Sequence, residues 1–121
     1  MFDGSRQNPE TYTDTYAPTA RGESVRLFHI FGVEEGWEIA QYDVPQAFLK
    51  SKIDCDIFVY PPRSFAKFPG QILKLKLSLY GAKQSAALWN KLIDAFLREI
   101  GFAPSPMDVS IRGKTLLSYY L

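Results

Sequence analysis

Few side chains in this sequence combine the type and the setting that chemistry needs. Asp43 stands first among them: it ends a largely apolar stretch and is followed by Val44-Pro45, with Ala47-Phe48-Leu49 close behind. A carboxylate at a strand end, beside a turn of open backbone N–H groups, can hold Mg²⁺ while the turn receives phosphate oxygens. The same position also suits a helix cap, with the carboxylate satisfying the amides of the turn. Asp54 and Asp56 flank Cys55 and read as paired carboxylates or as a solvated strand edge. Cys55 has no His, Lys or Arg immediately beside it to favour a thiolate, so it reads as a small half-buried residue. His29 is the only histidine and Cys55 the only cysteine, which excludes a His/Cys metal cage and an internal disulfide. Phe48 reads as core on its residue type alone, and Gly81 as the turn residue after Tyr80.

The elements that must position these residues follow from spacing. Residues 1–20 show no sustained period and predict an extended arm. A helical pattern starts at Ser24, a plausible cap, and runs through Val25, Leu27, Phe28 and Phe31 to a stop at Gly36. Residues 37–43 alternate Trp37, Ile39, Gln41 and Asp43 against Glu38, Ala40 and Tyr42, which predicts a strand. After Pro45, residues 47–49 predict a short helical turn. Residues 55–60 predict a second strand, ended by Pro61-Pro62, and residues 73–77 predict a strand with one leucine face buried. The strongest helix spans 85–100: Trp89, Leu92, Ile93, Phe96 and Ile100 lie on one face, and Gly101 supplies the exit. That stripe predicts core, each side chain contributing roughly 1.5–3 kcal/mol if fully buried. Residues 109–111 and 115–121 predict a hairpin turning at Arg112-Gly113-Lys114. A last strand that reaches the final residue without a polar cap predicts a fold cut before completion.

At 121 residues, with 46% hydrophobic and 22% charged residues, the chain has a globular composition. A disordered tail and a low-complexity segment are excluded. No apolar run approaches the ~18 residues of a membrane span, and residues 1–6 lack the apolar core of a signal peptide. The expectation is an intracellular chain without a membrane partner. Net charge is +1, yet the halves differ: residues 1–60 carry five basic against ten acidic side chains, residues 61–121 nine against three. Two halves that attract each other explain that split; so does a polyanion lying along the second half.

Taken together and in order, several stretches resemble the copia-type retrotransposon reverse transcriptase, the polymerase part of a pol polyprotein. Tyr12-Thr13-Asp14-Thr15-Tyr16-Ala17-Pro18-Thr19-Ala20-Arg21 is similar to the family's opening stretch. Gly36-Trp37-Glu38 and Gln41-Tyr42-Asp43-Val44-Pro45-Gln46-Ala47-Phe48-Leu49 resemble its first catalytic motif. Ile57-Phe58-Val59-Tyr60-Pro61-Pro62 and Leu77-Ser78-Leu79-Tyr80-Gly81-Ala82-Lys83-Gln84 follow at the family's spacing, as do Ile100-Gly101-Phe102 and Met107-Asp108-Val109-Ser110. The sequence departs from the pattern at Pro45, Lys50-Ser51, Ser64 and Ala86-Ala87.

The resemblance implies an α+β fold, the fingers and first half of a palm, incomplete, with antiparallel palm strands and packed helices. The expected unit is a single truncated domain over residues 1–121, with the arm at 1–20 and fingers and palm over 21–121. The implied reaction is RNA-directed DNA synthesis, in which Mg²⁺ or Mn²⁺ pairs serve nucleotidyl transfer to a primer 3′-hydroxyl. Asp43 and the Val44 backbone would hold metal. Ala47 and Phe48 would face the nucleotide, the Phe48 ring excluding a ribose 2′-hydroxyl. Arg21 would contact the triphosphate, and Tyr80, Gly81, Lys83 and Gln84 would line the template or nascent base pair. Implied partners are an RNA or DNA template with primer, deoxynucleotides and the rest of the pol polyprotein. The second catalytic Asp pair of the family is missing from the sequence, so the isolated chain is expected to be inactive. The alternative is a non-catalytic nucleic-acid or protein interaction remnant of a degenerate element.

Overall fold

Both helices end as glycine dictates. The structure, a computed structural model, describes residues 3–114. Helix α1 spans Gly22–Glu34 and closes on Gly36, whose φ of 65° lies in the left-handed region that a side chain disfavours. There the Trp37 amide donates to the Gly32 carbonyl at 2.7 Å and the Gly36 amide to Val33 at 3.3 Å. Helix α2 spans Ser85–Glu99 and repeats the device at Gly101 (φ 92°): Phe102 donates to Leu97 at 2.8 Å and Gly101 to Arg98 at 3.0 Å. Each crossed pair of bonds satisfies carbonyls that the helix end would otherwise leave open.

The start of α1 differs from expectation. The cap position is Arg21, not Ser24, and no side chain of the helix's own first turn closes it. The acceptor comes from far along the chain: a carboxylate oxygen of Asp108 takes the Arg21 N–H at 3.1 Å. Its second oxygen takes the Ser110 N–H at 2.9 Å. Hydrogen bonds from the Ser24 hydroxyl, Arg21 and Ser110 hold the Asp108 pKa down at about 2, below the usual 3.8. A depressed carboxylate contributes stability above its unfolded pKa and loses it as pH falls toward the folded value. Thermal melts between pH 5 and 2 should therefore show the parental chain losing stability more steeply than Asp108→Asn. At neutral pH the variant should melt several degrees lower. Equal slopes in acid would remove the cap from the account.

Short pieces of sheet replace the expected strands. Strand β1 (Phe58–Val59) pairs antiparallel with β2 (Leu73–Lys74), in register Phe58 with Lys74 and Val59 with Leu73. The pairing continues irregularly: Leu75 N donates to the Ile57 carbonyl at 2.9 Å, Ser78 N to Ser51 at 2.9 Å, and Lys52 bridges Leu77. The leucine face predicted to be buried is not, for Leu73 and Leu77 stay exposed. Residues 37–43 form no ladder. Their alternation instead serves contact with a helix, because the Trp37 and Ile39 side chains approach Gly32 of α1 and the Trp37 ring lies 5.9 Å from Phe28. Residues 112–113 are strand rather than turn: β4 (Arg112–Gly113) pairs with β3 (Ala103–Pro104). The expected strand over 115–121 lies outside the described residues.

The chain divides into two compact units, Met1–Ala17 with Pro45–Leu92, and Pro18–Val44 with Ile93–Leu121. In the second, Asp94 of α2 joins Arg98 Nε at 2.8 Å and Arg112 of β4 at 2.7 Å, tying the helix to the small sheet. In the first, residues expected as an extended arm make two 3₁₀ turns, Gly4–Arg6 and Pro9–Thr11, and bury Gln7. A Cβ on Gly4 would overlap the Gly81 carbonyl oxygen, so only glycine permits that close approach.

Among the described residues the apolar side chains that are buried are small or few: Ile57, Ala82 and Ala87. The predicted stripe of α2 is not core, since Leu92, Phe96 and Ile100 are exposed and Trp89 and Ile93 only half-buried. The area-based stabilisation expected of that stripe is thus realised only in part. Among the described residues no helix is long and apolar enough to cross a membrane.

Candidate functional site

Asp43, Val44 and Arg21 belong to the second unit, and Ala47, Phe48, Tyr80, Gly81, Lys83 and Gln84 to the first. In the second unit Asp43 is exposed and, among the described residues, makes neither a hydrogen bond nor an ion pair. It does not cap the turn that follows: the cap position of that 3₁₀ turn, Ala47–Lys50, is Gln46, with no side-chain bond to the helix amides. Val44 is exposed beside it. Arg21 presents an exposed side chain while its backbone N–H is held by Asp108. The reading of Asp43 as a cap therefore falls away, and its carboxylate stands open.

The first unit brings Phe48 and Tyr80 together. Their ring centroids lie 4.8 Å apart at 50°, within the range of attractive tilted aromatic pairs. Phe48 is half-buried in the Ala47–Lys50 turn, whose entry is set by Gln46 in the left-handed region (φ 56°). Leu49 N donates to the Gln46 carbonyl at 2.9 Å and Ser51 N to Phe48 at 3.3 Å, fixing the ring's base. Tyr80 is exposed on its other side, and Gly81 turns the chain with φ 99°. Lys83 carries its charge on the surface.

Gln84 occupies a different setting from its neighbours. It is 1% exposed, and its carboxamide is engaged entirely with the chain. Its oxygen accepts from Gln7 Nε2 at 2.8 Å, and its nitrogen donates to the Thr11 carbonyl at 3.0 Å and to Asp54 at 3.3 Å. Gln7 completes the knot by accepting the Lys83 N–H at 3.0 Å and donating to Thr11 Oγ1 at 3.0 Å. Beside it Ser78 Oγ donates to Ser85 Oγ, whose own hydroxyl donates to the Leu79 carbonyl, both at 2.6 Å. The turn from 79 to 85 is thus pinned at both ends by buried polar groups, which are costly to leave unpaired. Sequence reasoning missed this knot and the role of Asp108 at the start of α1, because the bonds that define them join residues 30 to 87 positions apart.

The remaining acids and the thiol do not extend the site. Asp56 pairs with Lys74 at 2.7 Å on the surface. The Cys55 thiol donates to the Thr11 carbonyl at 2.8 Å, and burial, then the Asp54 charge, push its pKa up, which suits an inert thiol. Among the described residues no three His, Cys, Asp or Glu side chains gather to hold a metal ion. Asp43 is therefore a single open carboxylate, and one carboxylate can hold Mg²⁺ only together with phosphate and water oxygens.

A family model, reverse transcriptase (RNA-dependent DNA polymerase), matches residues 2–118. The chain belongs to the reverse transcriptase family. It is 32% identical to the retrovirus-related Pol polyprotein from transposon RE1 of Arabidopsis thaliana and 28% identical to that from transposon RE2. Each match covers 94% of this chain and 8% of the relative, so this reverse transcriptase sequence spans about one-twelfth of those polyproteins. No solved structure matches it. Among the described residues the small α+β architecture, two α-helices with short antiparallel strands, is compatible with a piece of such an enzyme.

Proposed function

We propose that this chain is the fingers and first palm portion of an RNA-directed DNA polymerase of a copia-type retrotransposon. The observation that carries the reading is the open carboxylate of Asp43, unpaired among the described residues, five positions before the Phe48 ring within the family match. Asp43, with the Val44 carbonyl, would be the in-chain ligand for Mg²⁺ or Mn²⁺. The ion, when bound, neutralises the charge that builds on phosphate oxygens during nucleotidyl transfer. Phe48, held against Tyr80, would set the floor under the sugar next to Ala47 and exclude a 2′-hydroxyl. Arg21 offers an always-charged fork suited to a triphosphate. Tyr80, Gly81 and Lys83 would face the base pair or template, RNA or DNA. Gln84 is proposed to hold that turn in place, since its amide is committed to the interior.

Proximity and charge placement carry most of the catalysis in phosphoryl transfer, and both need a full set of carboxylates. One carboxylate leaves a second ion without a holder, so the isolated chain is proposed to be inactive, with the rest of the pol polyprotein supplying the missing acids. Primer extension on an RNA template with deoxynucleotides and Mg²⁺ or Mn²⁺ should give no product above an Asp43→Asn control. Incorporation that depends on Asp43 would overturn the inactivity and leave the polymerase assignment stronger.

A further inference from the structure

The turn that carries Tyr80 rests on residues 3–11. That segment folds on local bonds: Asp3 Oδ1 accepts the Ser5 N–H at 3.0 Å, Gln7 N donates to the Gly4 carbonyl at 3.3 Å, and Thr11 N donates to Asn8 at 2.9 Å. So folded, it brings two buried groups to the 80–84 turn, the bare Cα of Gly4 and the carboxamide of Gln7. Gly4 does not lie in the left-handed region, so close approach alone calls for glycine there. A Cβ at that position would meet the Gly81 carbonyl and the Ala82 Cα, backbone that cannot swing aside as a side chain can. Gln7 spends every polar atom of its side chain. Its oxygen accepts the Lys83 N–H at 3.0 Å, and its nitrogen donates to Gln84 Oε1 at 2.8 Å and to Thr11 Oγ1 at 3.0 Å.

A push on Gly81 has little room to spread. Ser85 Oγ donates to the Leu79 carbonyl at 2.6 Å and Ala82 N to the same carbonyl at 3.2 Å, so the turn is closed behind and ahead of Gly81. Tyr80 takes up the movement, and its ring is packed on Phe48 at 4.8 Å. We propose that Gly4 and Gln7 are positioning residues for sugar discrimination: they set the Gly81 peptide, through it the Tyr80 ring, and through that ring the face that Phe48 turns to the nucleotide. Both act through other residues. The proposal rests on the reading above that Phe48 excludes a 2′-hydroxyl.

NMR of the full chain with labelled aromatic rings tests the first half, through the nuclear Overhauser contact between Phe48 and Tyr80, and needs no nucleotide. Titration with Mg²⁺ and either dCTP or CTP, which differ only in the 2′-hydroxyl, tests the second. The parental chain should show the ring contact and bind dCTP at least about tenfold more tightly than CTP. Gly4→Ala should shift the Tyr80 ring signals, weaken the contact and lower that preference at least about threefold, through tighter CTP binding. Gln7→Asn adds no bulk and shortens the reach by one methylene, so it should move both readouts the same way by less, and it serves where Gly4→Ala fails to fold. Ile57→Val trims a buried methyl in the same unit and should lower the melting temperature while leaving both readouts at parental values. Parental ring contact in Gly4→Ala and Gln7→Asn, or the same changes in Ile57→Val, would overturn the proposal. Displaced rings with an unchanged preference would overturn the part in discrimination. Equal binding of dCTP and CTP by the parental chain, with the ring contact still lost in Gly4→Ala, would sink the sugar reading of Phe48 and uphold the positioning of Tyr80.

Discussion

Gln84→Leu is expected to destabilise the first unit by about 2–4 kcal/mol, read as a lower denaturant midpoint with an unchanged slope. The side chain keeps its size, so the loss isolates the hydrogen bonds. One Gln7 N–H loses its acceptor at 2.8 Å, and the Thr11 carbonyl loses a donor at 3.0 Å while keeping the Cys55 thiol. Each buried group left unpaired costs on the order of 1–3 kcal/mol. Against the 5–15 kcal/mol that holds an ordinary domain together, this is a large share. Exchange of the Lys83 amide, held by Gln7, should accelerate in the same variant. Adding Gln7→Leu should cost less than the two single losses combined, because the second substitution removes a donor already orphaned. Full additivity would mean that Gln7 and Gln84 are not coupled, and a Gln84→Leu midpoint within error of the parental one would mean that the knot contributes nothing.

The Gln84 setting also explains why parts of this molecule were legible in the sequence and others were not. Helix exits were legible because Gly36 and Gly101 act through bonds to carbonyls only a few residues back. The α2 span was legible from its period, and the short turn after Pro45 from local chemistry. The start of α1 was not, because its cap is Asp108, brought in from 87 positions away. Alternation over residues 37–43 placed Trp37 and Ile39 on one side, and both approach Gly32 of α1, but it could not tell a helix from a strand as their neighbour. Amphipathic spacing in α2 and over 73–77 likewise marks which face is apolar, not whether this stretch of chain covers it. The buried amides of Gln7 and Gln84 ran against residue-type expectation altogether, since glutamine is mostly a surface residue. At the candidate site only the residue types and their order, Asp43 five positions before Phe48, are readable from the sequence. The openness of Asp43 and the contact of Phe48 with Tyr80 needed coordinates.

The open carboxylate gives the second large effect. Asp43 has no cation or amide within the described residues to compete for it, whereas Asp56 is already paired with Lys74 and Asp108 with backbone donors. Mn²⁺ presented with a deoxynucleotide triphosphate should therefore choose Asp43 over the other acids, the triphosphate supplying the oxygens that one carboxylate lacks. Paramagnetic broadening of backbone amide signals reads this residue by residue and needs no turnover. In the parental chain the signals of Tyr42, Asp43 and Val44 should broaden at the lowest Mn²⁺ additions. In Asp43→Asn those signals should stay sharp at the same additions, with melting unchanged because the side chain is exposed. Broadening centred instead on Asp54–Asp56, or persisting around residue 43 in the Asp43→Asn chain, would contradict the assignment of Asp43 as the metal-holding acid of this reverse transcriptase segment.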